Sequence, residues 1–321
     1  MTSKEDHAHN LLEANSISIK NLVSIDDLSV EEIEKIFVVA DFFSQNIKRG
    51  SNKKSSLLKG KSIINFFFEE STRTRTSFEL AGKHLGADTI NMSGKSSSME
   101  KKGETLIDTA QTINALQADL VILRHSKAGT PGLIAKEIEA AVISGGDGRH
   151  EHPTQGLLDG YTIKQEFAEI KNKKVVIVGD ILHSRVFGSL VRLLNKFEAQ
   201  VTLSAPKTML PAQVEKVFNC QIEPDFDKAI VSQDIVYALR LQREREAESY
   251  IPSIREYAKR YVVNQDRLNK AAKKAIVMHP GPVNREIDIR TEVLEGPQSR
   301  VLKQAENGLF IRMALLSLLL T

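Results

Sequence analysis

The residues Ser71-Thr72-Arg73-Thr74-Arg75 follow directly on an apolar run, SIINFFF at 62–68. Hydroxyls and free first-turn amides at a helix start, with a guanidinium fork beside them, are the equipment that binds a phosphate-like anion. Ser71 is expected to cap that helix. The same residues would also serve as a plain capped helix with solvated arginines. Further polar groups follow other apolar runs: Arg124 and His125 close LVILRH at 120–125, and Arg185 comes after VIVGD. Arg240 ends DIVYALR at 234–240 with Gln242 two residues on, and HPGP at 279–282 closes AIVM with a rigid turn. Ser98 and Lys102 lie on a Ser/Lys-rich stretch. Taken singly, each of these fits a surface residue.

In GGDGRHEHPTQ at 145–155, Glu151 separates His150 from His152. Two histidines without a third ligand do not make a metal site, so no metal is expected. His152 suits a neutral hydrogen-bond donor to a carbonyl. Gly179 of VIVGD lacks the companion glycines of a dinucleotide fingerprint, which argues against NAD. No cofactor is expected.

The positioning elements are legible as an alternation. Residues 28–47 place Val30, Ile33, Phe37 and Ala40 at helical intervals, and Ser29 with Glu32 forms a capping box. Strands are expected at 62–68, 89–92 and 120–125, with helices at 72–86 and 104–117 between them. The rhythm resumes with strands at 173–180, in QVTLSAP, at 234–240 and at 275–280, and a helix at 184–197. A helix beginning after Pro153 and running to about Phe167 links the two series. Strand-helix alternation of this kind predicts an α/β protein of two domains, each a parallel sheet flanked by helices. In such sheets ligands sit beyond the carboxyl ends of the strands, which is where the polar residues fall.

A length of 321 residues suits two cores. The 44 basic and 41 acidic side chains are interspersed, giving a net charge of +3 and no block that would favour nucleic acid. The single cysteine, Cys220, excludes an internal disulfide and a paired-cysteine metal site. The apolar run at 309–320 is too short to span a bilayer and contains Arg312, so it reads as a helix packed on a domain. The polar N-terminus lacks the apolar core of a secretory signal, so a cytoplasmic enzyme is expected.

Together, STRTR at 71–75, KKGET at 101–105, Arg124-His125, GDGRHEHPTQ at 146–155, Arg185 after VGD, RLQRER at 240–245 and HPGPVNRE at 279–286 share an order and spacing with one family. Along nearly its whole length the chain resembles the aspartate carbamoyltransferase catalytic subunits. The resemblance implies transfer of a carbamoyl group from carbamoyl phosphate to L-aspartate in pyrimidine synthesis, in a homotrimer. It implies that Ser71, Thr72, Arg73 and Thr74 hold the phosphate, and that Thr74, Arg124 and His152 contact the carbonyl oxygen. Gln155 and the backbone near Gly281 and Pro282 would hold the carbamoyl amide, and Arg185, Arg240 and Gln242 the aspartate carboxylates. Ser98 and Lys102 would be lent by the adjacent subunit. The implied domains are 1–153 with 306–321 for carbamoyl phosphate and 154–305 for aspartate. Whether a regulatory chain or a dihydroorotase joins the trimer stays open. Ornithine carbamoyltransferases share the phosphate motif, but they carry HCLP where this chain has HPGP, and their SMG motif is missing. Glu70 and Gly281 depart from the commoner family residues without removing a ligand side chain.

Overall fold

The computed structural model describes residues 4–50, 53–94, 103–242 and 250–321. Two compact units form, one from Met1–Tyr161 with Ala305–Thr321, the other from Thr162–Gln304. The first unit's sheet holds β1 (Ser62–Phe67), β2 (Asp88–Ser93), β3 (Leu120–His125) and β4 (Ala141–Asp147) in the order β2-β1-β3-β4. The second holds β5 (Lys174–Val178), β6 (Gln200–Ser204), β7 (Cys220–Ile222), β8 (Ile235–Ala238) and β9 (Ile276–Met278) in the order β7-β6-β5-β8-β9. Every strand pair is parallel.

Among the longer helices are α1 (Lys4–Ala14), α2 (Val30–Asn46), α3 (Thr72–Leu85), α4 (Leu106–Ala115) and α5 (Thr130–Glu137). They are followed by α6 (Pro153–Phe167), α7 (Arg185–Lys196), α8 (Ile254–Tyr261) and α9 (Val301–Leu320). The elements with no counterpart in the sequence reading are α5, α8 and the weakly patterned α1, β4 and β7. The α1 segment is largely polar, β4 ends in Ser-Gly-Gly-Asp, and β7 is only three residues long, so none carries a strong periodic signal.

Apart from the edge strands β2 and β7, the strands are largely buried because they are covered on both faces, which is why they read as continuous apolar runs. In the first unit Ile64, Phe66, Val121, Leu123 and Val142 pack with Ala110 and Ile113 of α4 and Ile134 of α5. Phe78, Ala81 and Leu85 form the expected inner face of α3, and Gly86 ends that helix at a φ of 87°. In α2, Ile33, Phe37 and Ala40 are buried, whereas Val30 in its first turn is exposed, contrary to the periodicity. No helix among the described residues is long and apolar enough to cross a membrane. Residues 310–317 of α9, including Arg312, are buried in the first unit.

The capping box of α2 forms as expected, with the Glu32 amide donating to the Ser29 hydroxyl and the Ser29 amide donating to the Glu32 carboxylate. Partial burial alone would raise the Glu32 pKa, but hydrogen bonds from Ser29 and Ser18 outweigh it and hold it at about 2. A depressed carboxylate stabilises the fold above its unfolded value, and that contribution fades as pH falls through the folded one. We therefore expect the melting temperature to fall between about pH 4.5 and pH 2 more steeply in the natural chain than in Glu32→Gln. Identical slopes in a thermal titration would contradict the assignment.

Candidate active site

Parallel order places a switch point in each sheet, where successive connections leave in opposite directions and a crevice opens at the strand ends. In the first unit the chain passes from β1 outward to β2 and then back to β3, so the switch lies between β1 and β3. In the second it passes from β5 to β6 and β7, then back to β8, so the switch lies between β5 and β8. The candidate residues sit beyond these strands. Ser71–Thr74 follow β1, Arg124 ends β3, and His152 and Gln155 follow β4. Arg185 follows β5, Arg240 and Gln242 follow β8, and Gly281 and Pro282 follow β9.

At α3, Ser71 occupies the cap position but its hydroxyl accepts no helix amide, which corrects the capping expectation. Ser29, which does cap, has an extended ψ of 164°, whereas Ser71 has a ψ of 88°. The first turn of α3 also carries no acidic side chain, so its amides and positive dipole end keep their affinity for an anion. Thr72 and Arg73 are exposed, and Thr74 is buried. The Thr74 hydroxyl lies 3.4 Å from Nε2 of His152, itself buried, so two residues assigned to one carbonyl oxygen meet.

Arg124 is aimed by an irregularity in the sheet. The β3–β4 register shifts between Leu123 and Arg124, pairing them with Ser144 and Gly146 and leaving Gly145 between. A bulge of this kind bends a strand end and re-aims its side chains. Arg124 Nη1 donates to the Gly145 carbonyl at 3.1 Å, and its Nε lies 3.5 Å from Oε2 of Glu69. Glu69 was not singled out from sequence, where it stood as one of two adjacent acids. Neighbouring His125 packs edge-on against Phe68, and burial together with the Lys127 charge pushes its pKa down.

His150 and Glu151 take structural parts. His150 Nδ1 lies 3.1 Å from Asp147, while fully buried Glu151 accepts from the Ser24 hydroxyl and the Ile25 amide. No group of three metal-ligating side chains forms among the described residues. Gln155 Nε2 donates to Asp159 at 2.9 Å, which leaves the oxygen of its amide as the acceptor.

In the second unit Arg185 opens α7 and is buried, although taken alone it fitted a surface position. A cation at a helix N-terminus opposes the dipole, so local stability does not account for it. The loop after β8 is clamped by two buried carboxylates. Asp180 accepts from the Gln242 amide at 3.1 Å and faces His183 Nδ1 at 2.7 Å. Asp288 accepts from the Leu241 amide at 3.1 Å and the Asn284 amide at 2.8 Å. Arg240 thus directly precedes two anchored residues.

His279 joins this clamp to the HPGP turn. The Gly281 amide donates to its Nδ1 at 2.8 Å, so Nε2 carries the proton shared with Asp288 at 3.1 Å. Gly281 has a φ of 65°, a conformation that suits glycine, and its amide is occupied, leaving its carbonyl as the polar group on offer. Burial and the charges of Asp288 and Asp180 push the Tyr257 phenol well above its ordinary pKa. Each stranded buried donor costs roughly 1–3 kcal/mol, so Asp288→Ala is expected to lose about 3 kcal/mol or more of stability. A denaturant midpoint equal to that of the natural chain would show that the clamp is dispensable.

Ser98 and Lys102 lie outside the described residues, as do residues 243–245 of RLQRER.

Comparisons with known proteins converge. Residues 20–165 match the model of the aspartate/ornithine carbamoyltransferase carbamoyl-P binding domain, and residues 171–319 that of the Asp/Orn binding domain. The chain is 46% identical over 299 residues to the aspartate carbamoyltransferase catalytic subunit of Syntrophotalea carbinolica, covering 93% of this chain and 95% of the relative. It is 47% identical over 301 residues to that of Mesorhizobium japonicum, covering 94% and 91%. Among solved structures, aspartate transcarbamoylase from Trypanosoma cruzi in complex with carbamoyl phosphate is similar with a TM-score of 0.85 at 29% identity, covering 94% of this chain and 96% of that one. Ornithine carbamoyltransferase from Thermus thermophilus shares the fold, with a TM-score of 0.84 at 24% identity over 95% and 100%.

Proposed function

The chain belongs to the aspartate/ornithine carbamoyltransferase family, and from that premise we propose that it transfers the carbamoyl group of carbamoyl phosphate to the amino group of L-aspartate. The products are N-carbamoyl-L-aspartate and phosphate. The observation that carries the choice of aspartate is the pair Arg185 and Arg240 beyond the adjacent strands β5 and β8. Two guanidinium groups suit two carboxylates. Ornithine would bring an ammonium group to the same cations, and like charges reject it.

In this reading the first unit holds carbamoyl phosphate and the second holds aspartate. Ser71, Thr72, Arg73 and Thr74, with the amides opening α3, bind the phosphoryl oxygens. Thr74, Arg124 and His152 donate to the carbonyl oxygen. The Gln155 oxygen and the carbonyl of Gly281 beside Pro282 accept from the carbamoyl amide. Arg185, Arg240 and Gln242 take the aspartate carboxylates, and Ser98 and Lys102 come from a neighbouring subunit of a homotrimer. The setting is the cytoplasm and de novo pyrimidine synthesis.

The chemistry follows from these groups. The neutral aspartate amine attacks the carbonyl carbon, and negative charge collects on the carbonyl oxygen where Arg124, His152 and Thr74 stabilise it. The bond from that carbon to the bridging oxygen then breaks, the carbonyl reforms and phosphate departs with the proton released by the amine. No side-chain nucleophile is required, because orienting two bound reactants supplies much of the rate. Phosphate release from carbamoyl phosphate tests the reading: release with aspartate and none with ornithine is expected, and the reverse would overturn it.

A further inference from the structure

Arg312 is a charged side chain sunk into an otherwise apolar stretch of α9, with only 4% of its surface exposed. Burial draws its pKa down to about 10, partly offset by the charge of Asp159, so it remains a cation at neutral pH. A buried cation of this kind is costly, and its contacts are not those of a substrate ligand. Nη1 donates to the Gly308 carbonyl at 3.0 Å, and Nη2 lies at 3.5 Å from the Thr154 hydroxyl. The guanidinium also lies over the Phe78 ring, 5.0 Å from its centroid. Gly308 makes the room, since a Cβ there would stand 2.5 Å from Nη1. Arg312 therefore touches α3 through Phe78 and the start of α6 through Thr154, the two helices that bear Ser71–Thr74 and Gln155.

Asp159, fully buried one turn along α6 from Gln155, accepts from Gln155 Nε2 at 2.9 Å. A carboxylate can only accept, so the pairing fixes which way the Gln155 amide points and reserves its oxygen for a donor. We propose that Arg312 and Asp159 are positioning residues that hold the Gln155 amide in the orientation that selects an NH2-bearing acyl phosphate over one bearing a methyl group. This rests on the assignment of carbamoyl phosphate to the first unit. A site built to pair with an amide discriminates against the methyl analogue, because its buried acceptor is then left unmatched.

Acetyl phosphate differs from carbamoyl phosphate in that one group, which makes the pair a direct probe. Affinities of both for the full chain are measured by calorimetry in the natural protein, in Gly308→Ala, and in the charge-balanced Arg312→Met/Asp159→Asn. Gly308→Ala displaces the guanidinium, and the double variant removes both charges and replaces the acceptor-only Asp159 with an amide that lets the Gln155 amide turn over. The natural protein is expected to favour carbamoyl phosphate by about tenfold or more, the scale of one well-made hydrogen bond. In either variant that retains a cooperative melt, that ratio should collapse toward one, mainly through weaker carbamoyl phosphate binding. An unchanged ratio in a folded variant overturns the proposal, and so does an equal loss for both ligands, which marks a purely structural role. Natural protein that binds carbamoyl phosphate but carbamoylates no aspartate would refute the reaction while the ratio still judges Arg312. Natural protein that binds neither acyl phosphate refutes both.

Discussion

Arg124→Ala is expected to lower kcat by about 100-fold to 1,000-fold, the loss that follows removal of one preorganised oxyanion donor. The side chain is fixed before any ligand arrives: Nη1 is held by the Gly145 carbonyl that the β3–β4 register shift exposes, and Nε lies near Glu69. A donor that needs no reorganisation stabilises developing charge more than it stabilises the ground-state carbonyl, so kcat falls more than KM rises. Arg124→Lys restores the charge but not the planar fork and is expected to recover only part of the rate. Steady-state kinetics on protein with an unaltered melting curve provide the check. A loss below about tenfold would remove Arg124 from the oxyanion role.

The second large effect is expected at Arg240. Truncating one partner of a hydrogen-bonded charge pair costs roughly 2–5 kcal/mol, so Arg240→Ala should reduce kcat/KM for aspartate by about 30-fold or more. The affinity for carbamoyl phosphate should stay within about twofold, because its proposed phosphate ligands belong to the other unit. The neighbours of Arg240 are already anchored, Leu241 by Asp288 and Gln242 by Asp180, so truncation removes the charge without releasing the loop. Equal weakening toward both substrates, read by calorimetry for carbamoyl phosphate and kinetics for aspartate, would argue against the assignment.

Much of the fold was written in local patterns. The β1, β3, β5 and β8 strands are short β-branched or aromatic runs covered on both faces, and the Ser29–Glu32 capping box announced α2 to the residue. Candidate residues such as Arg124, Arg185 and Arg240 were legible because each follows a strand that sequence could place, whereas His152 and Gln155 follow β4, which it could not. What escaped depends on contacts between distant segments. Asp288 clamps Leu241 from 47 residues away, and no spacing rule marks it. Arg312 read as a charge interrupting an apolar run, because its partners Thr154 and Phe78 are remote in sequence. Ser71 had the residue type of a cap, but backbone torsion decides whether a hydroxyl reaches the first-turn amides. Arg185 looked like a surface residue because periodicity does not reveal that a helix begins inside the protein.

The central claim is the identity of the bond made, and it is tested most directly by following the labelled carbon itself. With carbamoyl phosphate carrying carbon-13 in its carbonyl group, NMR of the reaction mixture should show that signal move to the ureido carbon of N-carbamoyl-L-aspartate as phosphate accumulates in equal amount. With ornithine in place of aspartate it should stay with carbamoyl phosphate. Transfer to ornithine, or phosphate release with the label lost from any amine, would contradict the account.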